Sequence, residues 1–115
     1  IMIVGEGFSY VLGIKDGAEV LWFSRDKSYS FPRGVHVCEV HVAEDGVPLI
    51  VGRVGKEMYK NIPPGKEFVC YGSECSDEYL DRVDSASPTL CLESGEVEFM
   101  GIRDGQMTLV TMKIS

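Results

Sequence analysis

Apolar and polar residues alternate with a period of two along much of this chain, and turn residues cut the alternation at short intervals. Val97, Phe99 and Gly101 alternate with Glu96, Glu98 and Met100. Between residues 107 and 114 the phase sets Thr108, Val110, Met112 and Ile114 toward a core. Met107, Leu109, Thr111 and Lys113 take the outward phase. A period of two marks a strand with one buried face. Asp16-Gly17, Asp45-Gly46, Pro64-Gly65, Ser94-Gly95 and Asp104-Gly105 punctuate the runs. Asp-Gly between apolar runs is a hairpin signal, because Gly accepts the positive φ of a type I′ turn. The Val-, Ile-, Phe- and Tyr-rich runs predict strands over 8–14, 18–24, 35–43, 48–54, 67–71, 89–92, 96–102 and 107–114. Val35 and Val37 change phase with Val40 and Val42 across Cys38-Glu39, which predicts a β-bulge.

Residues 76–84 depart from this pattern. Ser76 suits an N-cap, Asp77 and Glu78 suit a first turn, and Tyr79, Leu80 and Val83 form a small apolar stripe. The spacing predicts a helix of two turns or fewer. Gly13-Ile14-Lys15-Asp16-Gly17 recurs as Gly101-Ile102-Arg103-Asp104-Gly105. The echo reads as two hairpins sharing one turn chemistry. The alternative is a pseudo-symmetry that pairs the terminal hairpins and brings the chain ends together. The expected architecture is a single all-β domain over 1–115: an antiparallel sandwich or barrel-like arrangement of about eight to ten short strands, with at most one short helix.

Composition narrows the function. A chain of 115 residues supports one core. A hydrophobic fraction of 44% with 25% charged residues excludes a disordered or collagen-like chain. The 11 basic and 18 acidic side chains give a net charge of -7, the wrong sign for a nucleic-acid partner. The apolar stretches fall far short of the ~20 residues of a membrane span. Ile1-Met2-Ile3-Val4-Gly5-Glu6 lacks a secretory signal, so the expectation is cytoplasmic, or extracellular if a leader has been removed. The four cysteines are too sparse for a disulfide scaffold, and are expected to be reduced and mostly buried.

Chemical motifs are weak. His36, Cys38 and His41 are the nearest approach to a metal set, yet a strand sends His41 to the opposite face. They read as two half-exposed histidines beside a core cysteine. Cys70 and Cys75, with four residues between them, suit a small disulfide loop or half a zinc site, but they lack the spacing of a redox pair and the second half of a zinc site is missing. Gly52-Arg53-Val54-Gly55-Lys56 looks like a phosphate loop with the wrong spacing and no following Ser or Thr. Glu74, Asp77, Glu78, Asp81 and Asp84 lack a calcium-loop pattern and read as a solvated face. Any catalytic triad would depend on His36 or His41. No catalytic residue, metal or cofactor is expected, and the chain is read as no enzyme.

One stretch is informative in another way. Trp22, Phe31-Pro32-Arg33-Gly34-Val35, then 45–54 (Asp-Gly-Val-Pro-Leu-Ile-Val-Gly-Arg-Val), Ile62-Pro63-Pro64-Gly65-Lys66, Tyr71-Gly72-Ser73-Glu74 and Glu78-Tyr79 follow one another in order. This resembles the repeat of the DM-nine family over about half of the chain. The family carries two tandem repeats where one is visible here, and Ala43 stands where many members have an acid. The resemblance implies an all-β protein that recognises mannose-type sugars, with contacts on Asp45 and Lys66. Arg53 and Tyr71 complete the expected ligand set, Tyr71 or Tyr59 supplying a ring for the apolar face of a hexose. A carboxylate paired with a cation is a fitting partner for a sugar diol. The expectation is therefore non-enzymatic carbohydrate recognition. The alternative is a structural or protein-interaction β-module that binds itself or a protein partner through its acidic surface or strand edges.

Overall fold

The computed structural model describes residues 2–5, 8–22 and 27–114. Among them the turns close three successive antiparallel sheets, each built from one continuous stretch of chain. The first sheet, in sequence order, holds β1 (Met2–Gly5), β2 (Phe8–Lys15), β3 (Ala18–Trp22) and β4 (Ser28–Ser30). The second holds β5 (Val35–Val42), β6 (Pro48–Val54), β7 (Glu67–Tyr71) and β8 (Glu74–Cys75). In the third, β10 (Thr89–Cys91), β11 (Glu96–Arg103) and β12 (Gln106–Lys113) lie side by side, and β9 (Arg82–Val83) also pairs with β11. The hairpins β2–β3 and β11–β12 turn on Asp16 (φ 55°) and Gly17 (φ 79°), and on Asp104 (φ 51°) and Gly105 (φ 78°). Both central residues take positive φ, as a type I′ turn requires.

The layering follows from β6. Its sequence does not alternate, and every residue except Arg53 is buried. Ile50, Val54, Phe68 and Cys70 pack with Tyr10, Leu21 and Phe31. Leu49, Val51 and Val69 point the other way and pack with Val97, Phe99 and Val110. The second sheet is therefore the middle of three layers. A strand covered on both faces reads as a continuous apolar run, and each fully buried Phe or Leu contributes about 1.5–3 kcal/mol.

The all-β antiparallel expectation holds, with differences. There are twelve strands among the described residues, because β1, β4, β8 and β9 are too short to register as apolar runs. The last two residues of the expected 18–24 strand lie outside the described residues. The expected helix at 76–84 is absent. Ser76 Oγ does accept the Glu78 N–H at 3.0 Å, as a cap would. However, Leu80 is fully buried and exchanges both backbone hydrogen bonds with Glu67, each at 2.9 Å. Val83 then donates its N–H to Glu67 Oε1 at 2.7 Å. These tertiary bonds capture the backbone that a helix would need.

The bulge stands where expected, between Val37 and Glu39. It leaves Cys38 exposed rather than in the core. The β7–β8 register sets Cys70 directly opposite Cys75, and the two form a disulfide, so the expectation of reduced, mostly buried thiols is corrected. Cys91 is also exposed. The echoed hairpins pack into different clusters on opposite faces of the middle sheet, so they do not pair with each other.

Gly101 is the tightest backbone approach. A Cβ there would lie 1.9 Å from the Arg82 carbonyl oxygen, whereas one on Gly13 would meet the Trp22 ring at 3.0 Å. Gly101→Ala is expected to destabilise by about 3 kcal/mol or more, since a backbone cannot yield as a side chain can. Gly13→Ala is expected to cost less. Urea unfolding midpoints of the two variants check this, and equal shifts would contradict it.

Candidate functional site

The turn between β5 and β6 places the first expected residue. Gly46 takes φ 88°, and Ala43 and Val47 close the turn with a 2.9 Å backbone bond. Asp45 Oδ1 accepts the Val47 N–H at 3.0 Å, an Asx turn that fixes the carboxylate. Its other oxygen, Oδ2, accepts the hydroxyl of Tyr71, at the end of β7. That bond first, and desolvation second, push the Tyr71 phenol up to about 12. Asp45 and Tyr71 therefore meet.

Lys66 does not join them. It precedes β7, a strand length of about 16 Å from Tyr71 at ~3.3 Å per residue. Its Nζ donates to Asp81 Oδ1 at 2.5 Å, and Asp81 Oδ2 accepts the Asp104 N–H at 3.0 Å. The hydrogen bond to Lys66 holds Asp81 below the usual carboxylate range and holds Lys66 above its own. This pair pins the β11–β12 turn to the start of β7. Arg53 lies toward that same end, across from His36 on one side and Glu67 on the other. The carboxylate–cation pair expected of Asp45 and Lys66 is not formed.

The histidines are held separately. His36 Nδ1 lies 2.6 Å from Glu19 Oε2, while His41 bonds the Ser85 carbonyl. Among the described residues no group of three side chains is placed to hold a metal ion. The free thiols differ: desolvation, then the Glu67 charge, pushes Cys38 up, and a hydrogen bond from Ser94 holds Cys91 down.

A different surface was carried by the outward phase of the last hairpin. Met100 pairs with Leu109 and Ile102 with Met107 across β11 and β12. The four are 37%, 58%, 38% and 65% exposed. β12 is also an edge, since β11 is its only partner among the described residues. The two-residue turn makes Arg103 and Gln106 a hydrogen-bonded pair. Thr108, Val110 and Met112 therefore bond inward to β11. Met107, Leu109 and Thr111 aim their N–H and C=O groups outward. Eight residues long, β12 has no proline, no register shift and a single charged residue, Lys113. Edge strands are usually blunted by such devices, as β5 is by its bulge.

No protein-family model, curated protein or solved structure matches the chain.

The Asp45–Tyr71 bond has a spectroscopic signature. One of the five tyrosines should ionise at about 12 in an ultraviolet pH titration. Asp45→Ala removes the acceptor that favours the protonated phenol, so that tyrosine should return toward its ordinary value of 10.0. Identical titration curves for both proteins would contradict the assignment.

Proposed function

We propose that this chain is a non-enzymatic interaction module that assembles with a second copy of itself through β12. The observation that carries the proposal is an unguarded eight-residue edge bordered by two exposed apolar cross-strand pairs. A two-fold axis through Leu109, normal to the sheet, pairs Leu109 with the partner's Leu109 and Met107 with the partner's Thr111. Every outward N–H and C=O of these residues then finds a complement. The inward and outward phases also match, because directly opposed residues share a face. Met100 and Leu109 would form one apolar strip running across both copies. A C₂ arrangement of this kind is the commonest symmetric assembly. The net charge of -7 on each copy opposes association at long range, so added salt should strengthen it.

Sedimentation or light scattering over a concentration series tests this. The native chain should dimerise, more tightly at higher salt. Leu109→Lys places a charge in the strip, and Thr111→Pro removes an outward donor that the fold does not use. Both should weaken the dimer by about tenfold or more while melting curves show intact folding. A native chain that stays monomeric at all concentrations would sink the proposal.

Mannose-type recognition is a second reading, favoured by the meeting of Asp45 and Tyr71 at an exposed turn. A carboxylate beside a phenol ring offers an acceptor and an apolar face. Lys66, engaged with Asp81, supplies no cation there. Retention on mannose-agarose that is lost in Asp45→Ala would support this reading, and retention unaffected by that change would remove it. The Cys70–Cys75 disulfide favours the extracellular option over the cytoplasmic one.

A further inference from the structure

Arg33, Gly34, His36, Lys56, Glu57 and Met58 line an open cleft of about 410 Å³. Two chain segments form it, one leading into β5 and one leaving β6. The Gly55 N–H donates to the Gly34 carbonyl at 2.7 Å and ties them together. Gly34 takes φ 86°, a conformation that turns Arg33 and Val35 apart with little strain. A Cβ on Gly55 would lie 3.0 Å from both Gly34 O and His36 Nε2, so glycine lets the two segments approach this closely. Glu19 fixes the ring beside it: Oε2 lies 2.6 Å from His36 Nδ1, and Oε1 accepts the Val37 N–H at 2.9 Å.

The cleft gathers two cations on a predominantly acidic chain. Acidic side chains outnumber basic ones by 18 to 11. Arg33 and Lys56, like Lys15, Lys27, Arg53, Arg82 and Lys113, form no ion pair with a described residue, so neither guanidinium nor ammonium is neutralised by a carboxylate there. Glu57 is the one acid in the lining, which leaves the cations in excess. A guanidinium fork and an ammonium on facing segments are the donors that a tetrahedral dianion takes up, the fork binding two oxygens at once. Met58, 60% exposed, adds an apolar wall. The volume falls within the ~300–1,000 Å³ of small-molecule sites and exceeds the need of a bare phosphate ion.

We infer that this cleft binds an organic phosphate monoester, Arg33 and Lys56 holding the phosphate and Met58 its organic part. The recognition is by side chains. It differs from a phosphate loop, in which a nest of backbone N–H groups before a helix does the work, and it is independent of pairing at β12.

Amide-resolved NMR titrations with phosphoserine, inorganic phosphate and serine test it. Phosphoserine should shift Gly34, Gly55 and Lys56 saturably and bind more tightly than inorganic phosphate, and serine should leave them unmoved. Arg33→Ala and Lys56→Ala should each weaken phosphoserine binding by about tenfold, the effect of losing one charge-assisted contact. Arg103→Ala, at a hairpin outside the cleft lining, should have no effect. Shifts that fail to saturate, equal binding of serine, equal binding of inorganic phosphate, or equal weakening by Arg103→Ala would each overturn the inference.

Discussion

Because β6 and β7 are buried on both faces, every polar group placed in them must find its partner inside the molecule, and the other two layers are organised by that demand. Glu67 shows how. It is the one buried carboxylate among the described residues. Its side chain accepts the Val83 N–H, and its backbone bonds Leu80 in both directions. The segment linking the middle sheet to the third is thereby fixed to β7, and β9 is delivered to β11. Gly101 is the complement of that delivery, since only a residue without a Cβ admits the Arg82 carbonyl at that point.

With the interior closed in this way, chemistry is left to the periphery, and the periphery is uneven. Some polar groups are already engaged with one another: Asp45 with Tyr71, Lys66 with Asp81, His36 with Glu19. Others form no ion pair with a described residue, as Arg33 and Lys56 in the cleft lining do not. The sheets also differ in their edges. β5 is interrupted by a bulge, while β12 runs regular and almost uncharged to its end. An edge left open in this way offers its outward N–H and C=O groups to another strand.

The engagement of Lys66 bears on recognition of sugars. A carboxylate and a cation act on one diol only if they stand within a few ångströms of each other. Here they occupy opposite ends of β7, and the cation serves to anchor the β11–β12 turn. The residues that do assemble around open space came instead from segments adjoining Gly34 and Gly55, two glycines whose backbone bond ties those segments together.

Period-two alternation, Asp-Gly turns and the phase change at Cys38 determined the class of fold, most strand positions, both type I′ hairpins and the bulge. These are local properties: the pleat alternates faces and a turn demands particular φ values, whatever lies beyond. The outward phase of Met107 and Leu109 was legible for the same reason. The chain by itself pointed to a helix over 76–84 and to reduced thiols, and its resemblance set Lys66 beside Asp45; the tertiary structure decided each of these otherwise. Each of these is a competition between local preference and a partner supplied by strand pairing or by packing of the sheets. Only the stacking of three sheets brought Glu67 to Leu80 and Asp81 to Lys66, and only the β7–β8 register joined the two sulfurs.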